Sequence, residues 1–281
     1  MIKIVTDSTA YLPQDIIAQH DIRIVPLNVL FGVKCYQEGI DLNYKQFYRM
    51  LAEAEELPTT SQPAAGDFLT VYSELVEAGH EVISIHISSG ISGTVDSALA
   101  AQKMLSRPDQ ISVIDSLSTS IGLELIVRSA LEAIEAGRSR KDIVALLEKM
   151  IQSLHVYFVV DTLEYLQKGG RIGAASALLG TVLQFKPILL LKNGKIEPWG
   201  KVRTKRKAVT KLLDIMEEKV GSQAPARIGV THAEVPGEAE ALVKKLHQRL
   251  NFENCCVSQI GPVIGTHTGP GVVGVAAYAN D

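Results

Sequence analysis

The spacing of apolar and polar residues changes character about half-way along the chain. In the first half, short β-rich runs alternate with stretches of helical period. Ile2-Lys3-Ile4-Val5 reads as a strand ended by Thr6-Asp7-Ser8, and Ile22 to Leu30 as a second extended run in which Pro26 marks an edge or a bulge. Val82 to Ile87 and Ile111 to Ile114 are two further strands. Between them Phe68, Val71, Tyr72, Leu75 and Val76 recur at i, i+3, i+4, and Ala98 to Leu105 follows a similar rule. Strand–helix alternation of this kind predicts an α/β unit with a parallel sheet covered by helices on both faces.

Two helices then follow back to back, Leu123 to Ala136 (stopped by Gly137) and Lys141 to Ile151. The domain boundary is expected just after them, giving an N-terminal α/β domain over residues 1–155 and a C-terminal domain over residues 156–281. Val156 to Val160 opens the second half as a strand, and Ala174 to Leu183 reads as an apolar helix. Ile188 to Leu191 and Ile196 to Trp199 flank Asn193-Gly194, the strongest short hairpin signal. Two long helical patterns, Val209 to Val220 and Ala239 to Leu250, accompany strands at Ile228 to Val230, Cys256 to Ile260 and Gly274 to Tyr278. A hairpin with two long helices predicts an α+β domain with a mixed or antiparallel sheet.

Composition narrows the setting. The 281 residues are 46% hydrophobic and 21% charged with a net charge of −3, enough for real cores and no basic field that advertises nucleic acid. No apolar run reaches the roughly 18 residues of a membrane span, and Met1-Ile2-Lys3 runs directly into a strand, so a cytoplasmic protein without a secretion signal is expected. Cys35 and the adjacent Cys255-Cys256 fit neither a disulfide framework nor zinc spacing, and are expected as reduced packing residues. No metal site is expected.

Candidate chemistry gathers at strand ends. Thr6-Asp7-Ser8, Asp115-Ser116 and Asp161-Thr162 fit helix caps and turns first, and the ligand-facing rim of an open α/β sheet second. Two hydroxyl clusters say more: Thr59-Thr60-Ser61-Gln62-Pro63 before the Phe68 helix, and Ser88-Ser89-Gly90-Ile91-Ser92-Gly93-Thr94 after the third strand. Glycines and hydroxyls at a helix start offer N–H and O–H donors to an anion, whereas capping alone needs one hydroxyl. The anion-site candidates are Thr60, Ser61, Ser92, Gly93 and Thr94. A hydrolase elbow requires G-x-S-x-G, and the glycines around Ser92 are wrongly spaced for it.

Two further candidates stand in glycine-rich segments, Arg171 in Gly169-Gly170-Arg171-Ile172-Gly173 and His267 in Gly265-Thr266-His267-Thr268-Gly269-Pro270-Gly271. Gly269 to Gly274 spells G-x-G-x-x-G, but only seven residues follow Gly274, too few for the helix and acid of a dinucleotide site. No G-x-x-x-x-G-K-[ST] is present either. Lys201-Val202-Arg203-Thr204-Lys205-Arg206-Lys207 packs five cations into seven residues at a helix N-terminus, where the dipole disfavours them. It reads as a solvated helix start or as a contact for an acidic or phosphate-bearing partner. Arg203 is the preferred contact because its planar fork suits such groups.

Taken in order, Thr6-Asp7-Ser8-Thr9 with Leu12-Pro13, Pro58 to Pro63, Ser88 to Thr94, Asp115-Ser116, Asp161 to Gly173 (DTLEYLQKGGRIG), Lys186-Pro187-Ile188-Leu189 and His267 to Gly271 (HTGPG) resemble the DegV family along the whole chain. That family comprises the fatty-acid-binding components of bacterial fatty acid kinases. The resemblance implies two α/β domains with a long acyl chain buried between or beneath them. Its carboxylate would be held by the motif at Thr60-Ser61, whose register within Thr59-Thr60-Ser61 stays open, and by the loop at Ser92. Arg171 and His267 correspond to the family's arginine and histidine. No cofactor and no catalytic residue are implied: the chain would be a carrier without enzyme activity of its own. A separate ATP-dependent kinase subunit would phosphorylate the bound acid, and the acyl phosphate would go to phospholipid synthesis by transient membrane contact without a transmembrane segment. Two other readings stay open, a small hydrolase or phosphotransferase using Ser92 with His267, and a regulatory lipid sensor.

Overall fold

The computed structural model describes residues 1–180, 185–222 and 225–279. Its strands are β1 (Ile2–Asp7), β2 (Arg23–Val25), β3 (Asn28–Phe31), β4 (Lys34–Gln37), β5 (Thr59–Ser61), β6 (Glu81–His86), β7 (Ile111–Asp115), β8 (His155–Val159), β9 (Lys186–Lys192), β10 (Lys195–Val202), β11 (Ala226–His232), β12 (Cys255–Gln259) and β13 (Val273–Ala279). The helices are α1 (Gln14–His20), α2 (Tyr44–Glu53), α3 (Ala65–Glu77), α4 (Thr94–Met104), α5 (Ile121–Glu135), α6 (Arg140–Ser153), α7 (Glu164–Lys168), α8 (Lys205–Val220), α9 (Pro236–His247) and α10 (Pro262–Thr268).

Three sheets organise these elements. An all-parallel sheet of four strands runs β2-β1-β6-β7. A six-stranded mixed sheet runs β10-β9-β8-β13-β11-β12, parallel only between β11 and β12. A small antiparallel sheet, β4-β3-β5, stands beside them. The predicted α/β half and mixed-sheet α+β half are both present.

Side-chain alternation decides what covers each face. Val5, Val82 and Ile111 pack with Phe68 and Tyr72 of α3 and Ala98 of α4. Their neighbours Ile4, Ile83 and Ile85 face the other way, onto α5 and α6. Helix α5 is buried all round in its first two turns, with Ile121, Leu123, Ile126 and Val127 among the buried side chains, because it is covered on two sides. It meets β1 and β6 on one side and β11 and β13 on the other. At Gly229 of β11 any Cβ would collide with Ile121, so glycine lets helix and sheet close. The far face of the six-stranded sheet, through Val159, Ile188, Val230 and Val275, is sealed by α8 and α9.

Several elements depart from expectation. The run Ile22 to Leu30 is two strands in two sheets, broken at Pro26, which has no N–H to continue a ladder. Ala174 to Leu183 is not an α-helix where it is described: Gly173–Leu178 forms a 3-10 helix, and residues 181–183 lie outside the described residues. Cys35 is exposed on β4 and packs nothing away, while Cys255 and Cys256 are half-buried and all three are free thiols. The Asn193-Gly194 hairpin forms as predicted, both residues at positive φ (49° and 75°).

Asp7, at the end of β1, is wholly structural. Its Oδ1 accepts from the Thr9 amide at 3.0 Å and the Thr9 hydroxyl at 2.5 Å, and its Oδ2 accepts from the Ile87 amide at 2.8 Å and faces His86 Nδ1 at 3.1 Å. The chain continues from His86 Nε2 to Ser84 Oγ (2.6 Å) and on to the Tyr72 hydroxyl (2.7 Å). Every member is buried, so deleting one leaves unsatisfied groups in a low dielectric. Asp7→Ala is expected to cost about 3–5 kcal/mol. Urea unfolding should record this as a lower midpoint with an unchanged m-value; an unchanged midpoint refutes it.

Candidate ligand-binding site

The serine loop after β6 is clamped by the β9–β10 hairpin. Ser88 Oγ donates to Gly194 O at 2.8 Å, and a Cβ on Gly90 would overlap that same carbonyl. The clamp presents Ser92, whose Oγ lies 2.9 Å from Thr94 Oγ1 and also accepts from the Thr94 amide at 3.3 Å. Thr94 is fully buried and locks the Ser92 rotamer from behind, and Gly93 lies beneath Gln62, which a Cβ there would strike.

Opposite stands β5. Register with β3 pairs Thr60 with Val29 and Ser61 with Asn28, so their side chains leave the strand on opposite faces. Thr60 Oγ1 reaches His267 Nε2 at 2.7 Å, whereas Ser61 Oγ accepts from Asn28 Nδ2 at 3.2 Å. The register question within Thr59-Thr60-Ser61 is thereby answered for the histidine contact: it belongs to Thr60.

His267 sits in the last turn of α10, not in a glycine loop; the glycines that follow, Gly269 and Gly271, make the exit turn at φ 71° and 83°. The other end of α10 is anchored by Glu38, a residue the sequence did not single out. Its Oε1 accepts from the Val263 amide (2.8 Å) and the Tyr11 hydroxyl (3.2 Å), its Oε2 from the Ser8 hydroxyl (2.6 Å), and burial pushes its carboxyl up to about 7. Arg171 spends Nη1 on Gly169 O (2.9 Å) and Nε on Ile91 O (3.3 Å), and Nη2 bonds to none of the described residues. Gly169 is obligatory in its place, because a Cβ would overlap His267 Nδ1. Burial first, and then the Arg171 cation, push the His267 imidazole down to about 4, so it is neutral at physiological pH.

These side chains rim one end of a cavity that is open at its mouth. Thr60, Ser61, Ser92, Arg171 and His267 line it, while Gly93 and Thr94 stand behind the wall. Its interior is largely apolar, with Ile121, Val156, Phe158, Leu191, Val263 and Ile264 contributed by α5, the six-stranded sheet and α10. Outside the mouth a shallow groove shares Thr60, Arg171 and His267 with the cavity and continues over Gly169 and Gly170. An apolar cavity with hydroxyls, one cation and a neutral imidazole at its rim suits an apolar tail carrying an anionic head.

The arrangement is not that of a serine hydrolase. Ser92 is bonded to Thr94 and His267 to Thr60, and among the described residues the buried His267 Nδ1 has no partner where a triad would have its orienting acid. Among the described residues no group of three His, Cys, Asp or Glu side chains could hold a metal, and no helix is long and apolar enough to cross a membrane. The basic block is partly neutralised within the fold. Lys205 pairs with Glu238 (3.0 Å) and Asp161 (3.8 Å), and Lys201 lies 5.2 Å from the Phe185 ring, while Arg203 is exposed.

The family model described as "Uncharacterised protein, DegV family" matches residues 1–280. The chain belongs to the DegV family. It is 40% identical to Protein DegV of Bacillus subtilis over 98% of each chain. Among solved structures it is similar to a DegV family protein from Thermus thermophilus described as binding fatty acid, with a TM-score of 0.93, 38% identity and 99% of both chains covered. A stearic-acid-binding protein from Eubacterium ventriosum gives a TM-score of 0.92 at 28% identity, covering 99% of this chain and 98% of that one.

The neutral state of His267 has a measurable consequence. Its folded pKa of about 4 lies below the ordinary 6.5, so between those values the unfolded chain binds more protons and stability rises with pH. Glu38, raised from 4.5 to about 7, works with the opposite sign over an overlapping range. The difference between wild type and His267→Gln should therefore isolate the imidazole, growing by roughly 3 kcal/mol in favour of wild type from pH 4 to pH 6.5. Urea midpoints that run parallel for the two proteins across this range refute a neutral His267.

Proposed function

We propose that this protein binds one long-chain fatty acid, tail in the cavity and carboxylate at the rim, and presents it to a separate ATP-dependent kinase subunit that converts it to acyl phosphate for phospholipid synthesis. The observation that carries the reading is a largely apolar cavity whose rim joins the hydroxyls of Thr60 and Ser92 to Arg171 and His267. Fatty acid binding in the Thermus thermophilus and Bacillus subtilis relatives supports the ligand class. In this reading residues 1–155 supply the hydroxyl loops and residues 156–281 supply Arg171 and His267. Thr60 and Ser92 donate to the carboxylate, and the Nη2 of Arg171, which bonds to none of the described residues, faces its charge. Tail burial contributes roughly 0.8 kcal/mol per CH₂.

Presentation follows from the groove outside the mouth. Thr60, Arg171 and His267 belong to both spaces, so a phosphoryl donor in the groove meets the carboxylate without the tail leaving the cavity. Arg171 and His267 then stand where charge develops during transfer. The chain acts as a cytoplasmic carrier, touching the membrane only to load and unload.

Native mass spectrometry of protein purified from cells should find a long-chain fatty acid bound; apo protein that takes up no added fatty acid overturns the reading. Ser92→Ala is expected to weaken binding about 10- to 100-fold without unfolding, the loss of one charge-assisted hydrogen bond. An unchanged dissociation constant removes Ser92 from the head-group site. Arg203→Ala should slow acyl phosphate formation with the cognate kinase while fatty-acid affinity holds, because an exposed cation steers an acidic partner and does not line the cavity. A normal rate across a range of salt makes Arg203 an ordinary surface residue.

A further inference from the structure

The cavity wall is not uniformly apolar. Thr119, Ser120 and Thr231 also line it, and none of them belongs to the rim cluster. Thr231 stands opposite Gly274 on the neighbouring strand, and Gly274 stands opposite Phe158, which puts this polar group on the sheet wall. Ser120 and Thr231 are buried, and Ser120 Oγ lies 3.1 Å from Thr231 Oγ1.

The hydrogen-bond count leaves capacity over. Thr231 has one hydroxyl proton and gives it to Ser258 O at 3.1 Å. The proton between Ser120 and Thr231 therefore belongs to Ser120, whose lone pairs stay free to accept. Thr119 Oγ1 is buried with no partner among the described residues. An unbranched hydrocarbon tail lying against this group leaves the Thr119 hydroxyl without a partner, and a buried hydroxyl in that state is unfavourable.

Ser120 is also held at φ 51°, ψ −132°, a conformation suited to glycine. Its amide donates to Thr9 O at 3.0 Å and its carbonyl accepts from the Glu124 amide at 2.9 Å, so the surrounding fold fixes it there. A serine kept where glycine would be relaxed keeps a hydroxyl on the cavity wall at the expense of backbone strain.

Building on the fatty-acid reading of the same cavity, we infer that Thr119, Ser120 and Thr231 form a second, polar subsite that takes a hydroxyl group carried on the acyl chain. A ligand hydroxyl placed there donates to the free lone pairs of Ser120 and exchanges a hydrogen bond with Thr119. The protein then accepts hydroxylated long-chain acids at one chain position and disfavours them where the hydroxyl meets only apolar wall.

The test is a binding series of octadecanoic acid and its monohydroxy positional isomers, measured by titration on wild type, Ser120→Gly and Thr231→Val. Ser120→Gly removes the acceptor and relieves the backbone, so it remains informative if Thr231→Val folds poorly. In wild type at least one isomer should bind as tightly as octadecanoic acid while isomers far from that position bind about tenfold more weakly. In the variants the favoured isomer should lose about tenfold relative to octadecanoic acid. If all isomers are weakened alike in wild type, as when the subsite holds only a water, or if Ser120→Gly leaves the ranking unchanged, the inference is wrong. Failure of octadecanoic acid itself to bind would overturn the parent reading along with it.

Discussion

Across 207 residues of sequence, the hydroxyl of Thr60 meets the imidazole of His267 at 2.7 Å, and the mouth of the cavity is defined by that contact. It joins the edge strand of the small sheet to the last turn of α10. Everything that fixes either partner serves it: Glu38 pinning the N-terminal end of α10, Gly169 leaving room for the imidazole, and β3 holding β5 in register. Because burial and Arg171 keep His267 neutral, the rim holds an uncharged hydrogen-bonding pair next to one cation. An arriving carboxylate therefore meets a single positive charge and several hydroxyl donors, without the desolvation cost of a second buried cation.

The division of labour follows from the two kinds of sheet. Parallel strands end in loops at one edge, which is where open α/β sheets assemble polar ligand groups, and the serine loop after β6 is such a loop. The mixed sheet offers a broad apolar face instead, and α5 cannot cover all of it. The uncovered part, around Val156, Phe158 and Leu191, becomes the cavity wall. The rim side chains come from both halves of the chain, Thr60 and Ser92 from the first and Arg171 and His267 from the second, while most of the apolar wall belongs to the mixed sheet and α10.

Much of this was legible in the sequence, for reasons that can be stated. Strand–helix alternation in the first half and the Asn193-Gly194 turn in the second report local backbone preferences, and both sheets follow from them. Thr60, Ser92, Arg171 and His267 were visible because hydroxyls, a cation and an imidazole in glycine-rich segments exceed what capping requires. The small sheet escaped notice because Thr59-Thr60-Ser61 has no apolar alternation; its strand character comes from pairing with β3. Glu38 is a lone acid in an unremarkable stretch, and only the fold reveals its hold on α10. Asp7 illustrates the reverse, since a strand-end aspartate open to two readings proves to be committed to a buried network. Thr231 lies 111 residues beyond Ser120, too far in sequence for the chain to announce it as a partner of Thr119-Ser120.

The central claim is that a fatty-acid carboxylate rests as an anion against Thr60, Ser92, Arg171 and His267. Carbon-13 NMR of hexadecanoic acid labelled at its carboxyl carbon, added to the protein and followed from pH 8 downward, tests it most directly. The account predicts one slowly exchanging bound resonance that stays at the ionised position below the pH at which the free acid titrates, because hydroxyl donors and the guanidinium favour the charged form. It predicts too that Ser92→Ala moves that resonance. A label that titrates as in free solution, or a bound signal unaffected by the substitution, would contradict it.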